Sequence, residues 1–212
     1  MKLLAVCVGQ PIEGTYRDKP VMTGIFKEPV EGRVMLRKTN LEGDRQADLR
    51  YHGGADKAVY AYPFEHYAYW QAKLGRGDFK FGQFGENLTV EGLLEEEVRI
   101  GEVLGIGAAL VQVTQPRTPC FKLGLKMGQD SFPPVFLESG RSGFYLRVLR
   151  EGEIGAGDPI EIVERPKDSL TVLELWHLVH YEPENLAGAK RAIAMPALSQ
   201  AWRETLEERV RK

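Results

Sequence analysis

Between Lys2 and Glu164 the apolar residues of this chain fall into short runs rather than long helical stripes. KLLAVCV, GRVMLR, KAVYAY, VRIGEVLGIG, ALVQVTQ, GFYLRVLR and DPIEIVE are each of strand length, and glycine or charge bounds most of them. Runs so short must be buried in a sheet. RIGEVLGIG and EIGAGDPIEI share a glycine-bounded turn followed by a short strand, as if one hairpin element were used twice. That repetition predicts a closed or nearly closed barrel. Cys7, inside the first run, reads as a small core residue.

YPFEHYAYWQAKLG has a different period. Pro63 suits a first helical position, Phe64, Tyr67, Trp70 and Leu74 recur at three- and four-residue steps, and Gly75 can end the helix. One helix over the barrel is expected, with the aromatic stripe as core and His66 as a structural residue. After Pro166 the helical period takes over. Thr171 with Glu174 three residues on forms a capping-box pattern, Pro183 breaks the chain before PENLAGAKRAIAM, and Leu198, Trp202, Leu206 and Val210 recur every four residues. Three short helices following a β-rich region predict a helical appendage.

A length of 212 residues suits one large domain, or a main domain with a small appendage. A net charge of −2 supplies no electrostatic reason for a nucleic acid or anionic membrane partner. No apolar stretch approaches the roughly 20 residues of a spanning helix, and MKLLAVCVGQPIEG is broken by Pro11 too soon for a signal peptide, so a cytoplasmic location is expected. Two cysteines without a C-x-x-C pair build neither a disulfide framework nor, alone, a zinc or iron–sulfur site.

The second cysteine, Cys120, stands in TQPRTPCFKLGLKMG, where Pro119 biases Thr118 away from helix and leaves the thiol in an irregular turn after a strand. Arg117 and Lys122 are near in sequence, and a cation beside a thiol favours the thiolate, the form that attacks electrophiles and binds soft metals. The residues alone leave both a functional and a structural thiol open. A second candidate is LEGDRQADLRYHGGADKAVYAYP. There Asp44, Asp48, His52, Asp56 and Lys57 crowd a loop in which Gly53 and Gly54 permit a positive φ or close backbone approach to a small anion. A polar hairpin loop is the alternative. A third is FGENLTVEGL, where Glu86 and Asn87 precede a strand and Asn87 could simply cap a turn. Neither GIGAAL nor GAGDPI completes a dinucleotide fingerprint, and no P-loop or G-x-S-x-G elbow is present. His177 and His180 lack partners at zinc spacing and read as structural.

In order and spacing, LEGDRQADLRYHGGADKAVYAYPFEHYAYW, FGENLTVEGL and QPRTPCFKLG resemble the MOSC domain (molybdenum cofactor sulfurase C-terminal domain), in its YiiM-like branch. The segment from about Pro166 resembles that branch's C-terminal three-helix extension. The resemblance implies a mainly β, α+β fold: a MOSC-type β-barrel with flanking helices over residues 1–165, and a three-helix domain over 166–212. It implies that Cys120, in the PRTPC position, carries a sulfur or ligates molybdenum. The activity implied is a molybdenum-cofactor-dependent oxidoreductase that reduces N-hydroxylated compounds, such as hydroxylaminopurines and related base analogues, to amines. Within the matching motifs, His52, Gly53, Gly54, Lys57, Asn87 and Arg117 are the candidates for holding the molybdopterin phosphate and pterin edge or supplying protons. The chain has no ferredoxin cysteine set and no flavin or nicotinamide fingerprint, so a separate electron-donating reductase is expected. Pyridoxal phosphate is attached to MOSC domains by analogy only, and no lysine here has a Schiff-base context. Two rival readings stand beside the reductase: sulfur transfer through a Cys120 persulfide, and a non-catalytic molybdenum-cofactor-binding module.

Overall fold

The computed structural model describes residues 1–48 and 53–211. The protein is mixed α+β, built on one large sheet. Its strands are β1 (Lys2–Val8), β2 (Ile12–Tyr16), β3 (Lys19–Thr23), β4 (Glu28–Pro29), β5 (Arg33–Leu36), β6 (Val59–Pro63), β7 (Leu88–Glu91), β8 (Val103–Ile106), β9 (Ala109–Pro116), β10 (Phe144–Arg150), β11 (Gly152–Gly155) and β12 (Ile160–Glu164). The apolar runs listed above all contribute strands. Eight of these form the main sheet in the order β12-β8-β9-β10-β6-β7-β1-β4, while β5 pairs with β11 and β2 with β3.

All neighbours in the main sheet are antiparallel except β6 and β7. A parallel pair needs a long crossover, and α1 (Glu65–Leu74) supplies it. The sheet curls far enough for β1, next to the short edge strand β4, to touch the segment that enters β12 at the opposite end. Leu3 N donates to Asp158 O at 2.9 Å, Gly157 N to Leu3 O at 2.7 Å and Ile160 N to Met1 O at 3.1 Å, which joins β1 to the start of β12. Backbone groups that would form an open edge are thereby paired.

Helix α1 stops at Gly75, which takes the left-handed conformation and donates to Ala72 O. Tyr67 and Trp70 are buried among Tyr62, Phe84, Phe132 and Phe136, so the aromatic stripe is core. Two further helices lie beside α1, although the sequence pattern predicts only one over the barrel: α2 (Phe121–Met127) and α3 (Phe132–Glu138). Both are too short to show a period. The prolines of FPPVFLE sit in the first turn of α3, where the missing N–H groups have no intrahelical acceptor to serve.

The last three helices are α4 (Val172–His180), α5 (Leu186–Ile193) and α6 (Gln200–Arg211). The capping box forms: Thr171 Oγ1 accepts from Glu174 N at 3.0 Å, and Glu174 Oε2 accepts from Thr171 N at 2.7 Å. Val172 N donates to Val98 O at 2.8 Å and Ile100 N to Leu170 O at 2.9 Å. Leu175, Trp176 and Leu206 share one apolar core with Val98, Ile100, Val111 and Val113.

Candidate functional site

Strand β9 ends at Pro116 and the chain then turns irregularly to Cys120, as the prolines require. Cys120 is extended, at φ −125° and ψ 172°, and N-caps α2, its carbonyl accepting from Leu123 N at 2.9 Å. The backbone is thus held while the thiol is half-buried. Cys7 differs on every count: it is fully buried in β1, and burial pushes its thiol pKa far up.

Cys120 stands between two connected spaces. The inner one is a cleft of about 90 Å³, whose cations are Lys27, Lys57, Arg117 and Lys122 and whose described lining residues include no carboxylate. Lys27 is ion-paired to buried Asp44, and burial lowers its pKa against that partner. Burial also lowers that of Lys57. Arg117 is 5 % exposed. Its guanidinium lies 5.2 Å from the Tyr60 ring centre and 5.3 Å from that of Phe136, and its Nη1 has no hydrogen-bond partner among the described residues. Burial works against its charge, but Tyr60, Tyr145 and Cys120 outweigh that effect and hold its pKa up. Rings offset only part of the cost of a buried charge. The Arg117 backbone is located through a chain of contacts. Arg117 N donates to Gly143 O at 3.3 Å, Gly143 N to Glu95 Oε1 at 2.7 Å, and Glu95 Oε2 meets His66 Nε2 at 2.6 Å. His66 is therefore structural. Gly143, at φ 62°, admits no side chain, since a Cβ would sit 2.5 Å from Ala61 O.

The outer space is a chamber of about 1060 Å³ between the β2–β3 hairpin and α6. Val21, Met22, Phe121 and Trp202 give it apolar walls, and Gln115 and Asp48 also line it. Lys57, Cys120, Lys122 and Tyr145 border both spaces.

Cys120, Arg117, Lys57 and Asn87 thus gather at one cleft, from three separate parts of the sequence. Asn87 serves the fold: Oδ1 accepts from Tyr60 N at 3.2 Å, and Nδ2 donates to Cys7 O at 3.2 Å and Asp44 Oδ2 at 3.0 Å. Glu86, likewise buried, accepts from Gly82 N, Phe84 N and Thr89 Oγ1. Gly53 and Gly54 are not among the lining residues; Gly54, at φ 90°, instead starts the 3-10 turn Ala55–Lys57 that carries Lys57. His52 lies outside the described residues. Sequence reasoning misses Lys27, Tyr60, Tyr145 and Gln115, which carry no motif, and sees Trp202 only as part of a helical stripe. Among the described residues no group of three or more histidine, cysteine or acidic side chains could hold a metal ion, and no helix is long and apolar enough to cross a membrane.

Fold and site together define an α+β protein with a thiol at the junction of a cationic cleft and an apolar chamber. The chain belongs to the MOSC domain family: the MOSC model matches residues 48–161, and the YiiM-like 3-alpha helix domain matches residues 170–212. It is 42% identical over 95% of its length to YflK of Bacillus subtilis strain 168, covering 90% of that protein. The crystal structure of YiiM from Geobacillus stearothermophilus superimposes with a TM-score of 0.84 at 39% identity, over 99% of this chain and 98% of that one. A protein named "Reductase" from Gibberella moniliformis strain M3125 / FGSC 7600 is 30% identical over 99% of this chain, which spans 37% of its length.

Proposed function

We propose that this protein is a molybdenum-cofactor-dependent reductase that converts N-hydroxylated small molecules, N-hydroxy base analogues among them, to the corresponding amines. The observation that carries the reading is the half-buried Cys120 thiol beside a cleft whose deepest cation, Arg117, lacks an anionic partner among the described residues. A phosphate-bearing cofactor with a soft metal fits that donor set: Arg117, Lys57 and Lys122 would hold the phosphate, and Cys120 would be the protein's thiolate ligand. When bound, the cofactor supplies the two-electron redox chemistry.

The balance is R–NHOH + 2e⁻ + 2H⁺ → R–NH₂ + H₂O. The N–O bond breaks, the nitrogen is reduced and the oxygen leaves as water. The electrons come from a separate reductase. Lys57 borders both spaces, and its charge is assigned to the bound phosphate, which raises the pKa that burial lowers. Tyr145 borders the same spaces, but burial raises its pKa and makes it a poor acid.

Cys120→Ser tests this. Serine offers a hard, protonated oxygen where a soft thiolate is needed, so molybdenum content and N-hydroxyadenine reduction should be lost at an unchanged melting temperature. Cys7→Ser is the control. It places a hydroxyl in an apolar strand at a cost of about 1–3 kcal/mol but should keep activity per folded molecule. Full turnover in Cys120→Ser would overturn the reading, and persulfide on a metal-free wild-type Cys120 would favour sulfur transfer instead.

A further inference from the structure

Gln115 is 2 % exposed, its Nε2 donates to Pro116 O at 3.2 Å, and its Oε1 has no hydrogen-bond partner among the described residues. It also lines the outer chamber. Its position has an identifiable cause. In the β9–β10 ladder, Leu146 is opposite Val113 whereas Tyr145 is opposite Gln115, so Thr114 is an extra residue. Such a bulge reverses the alternation, taking Gln115 off the Val111 and Val113 face and placing it beside chamber-lining Tyr145. A buried carbonyl acceptor without a donor costs free energy unless something fills that role.

Across the chamber, Trp202 and Thr205 come from α6. The start of that helix is anchored to the same region: Ser199 N donates to Thr114 O at 3.3 Å and Gln200 N to Asp56 Oδ2 at 2.9 Å. Asp56 is itself held by Arg147 and precedes Lys57 of the cleft. The wall is therefore fixed relative to Cys120. Trp202 is 8 % exposed, whereas the chain's other tryptophans, Trp70 and Trp176, are fully buried in the two cores.

We propose that the outer chamber binds the substrate, with Gln115 Oε1 accepting a hydrogen bond from an N–H of a flat heteroaromatic ring and Trp202 and Thr205 of α6 forming the wall against which that ring lies. This rests on the reductase reading above and deepens it by giving the C-terminal helix a part in substrate choice. A site built to accept from an N–H rejects a ring that lacks one far more strongly than it resolves small apolar differences. The selected class is thus N-hydroxylated heteroaromatic amines that retain an N–H, rather than oxidised compounds without one.

The test is equilibrium binding to the full-length protein, separate from turnover. Adenine, the product of N-hydroxyadenine reduction, is compared with its N6,N6,9-trimethyl derivative, which has no N–H. The wild type should bind adenine at least tenfold more tightly, with quenching of tryptophan fluorescence. Gln115→Met should reduce that preference to near one, and Trp202→Phe should abolish the quenching. Thr205 is exposed on α6, so Thr205→Phe should fold normally and weaken adenine binding by narrowing the chamber, at unchanged molybdenum content. The inference is overturned if adenine does not bind, if folded Gln115→Met keeps the preference, if quenching survives in Trp202→Phe, or if Thr205→Phe lowers molybdenum content while adenine binding is unchanged. Loss of turnover with these binding results intact would count against the reductase reading alone.

Discussion

The Arg117 guanidinium is kept 95 % out of water and its Nη1 has no hydrogen-bond partner among the described residues, an arrangement that costs stability. Methionine has similar reach and no charge. Arg117→Met should therefore leave the protein as stable as the wild type, or more stable, while removing its affinity for a phosphomonoester. A phosphomonoester should raise the melting temperature of the wild type, because a ligand that binds only the folded state stabilises it, and should leave that of the variant unchanged. Loss of folding in Arg117→Met, or an equal ligand shift in both proteins, would contradict this role. The charge on Lys57 adds a pH dependence. Burial holds its pKa below the ordinary 10.5, and a bound anion raises it again. Affinity should be full below the ligand-free value and fall as pH rises through it towards the ligand-bound value. A phosphoester is already dianionic there, its second pKa being about 6. Lys57→Arg keeps its charge and should move the fall to higher pH. A profile unchanged by that substitution would assign the fall to another cation.

Among the elements, those written in local chemistry were legible in the sequence and those created by tertiary context were not. The capping box at Thr171 and Glu174 and the glycine stop of α1 were readable because each is completed within a few residues. The β2–β3 hairpin gives no such signal. Its turn residues Arg17 and Asp18 take φ 49° and 61° without the glycine that normally marks such a turn. The prolines of α3 give no helix signal of their own, because in so short a segment a first turn and a loop have the same pattern. Cys120, Arg117 and Lys57 stand out in their sequence segments, and all three line the inner cleft. Gln115 was hidden because strict alternation from Val111 and Val113 assigns it to the core, and only the Thr114 bulge turns it towards Tyr145. Asn87 and Glu86 have the opposite history. Polar residues in a glycine-bearing segment look available for a ligand, yet their hydrogen bonds are spent on Cys7, Asp44, Tyr60 and the Gly82–Phe84 turn.

For the whole molecule, the question is whether the C-terminal helices are a separable unit or part of one cooperative structure. The apolar period changes from strand to helix near Pro166, and the two family models divide there, at 161 and 170. The packing does not divide in the same place. Leu175, Trp176 and Leu206 lie in the apolar core that also holds Val98, Ile100, Val111 and Val113, and the backbone bonds of Val98 and Ile100 run to Val172 and Leu170. Among the described residues the C-terminal helices therefore have no apolar core separate from that of the sheet, and removing them would expose the apolar side of β9 and its neighbours. Full-length protein should unfold in one transition. Far-UV circular dichroism at the strand signal and the fluorescence of Trp176 and Trp202, both in the C-terminal helices, should give the same midpoint. Trp70 lies in the other core, so a Trp70→Phe background makes the fluorescence report the tail alone. Trp176→Ala, which empties a fully buried site where helices and sheet share one core, should cost about 3–5 kcal/mol and lower both midpoints together. A tail that melts first while the strand signal persists would show a separable unit. In that case α6 could open without disturbing Cys120, and the wall of the outer chamber would be movable rather than fixed.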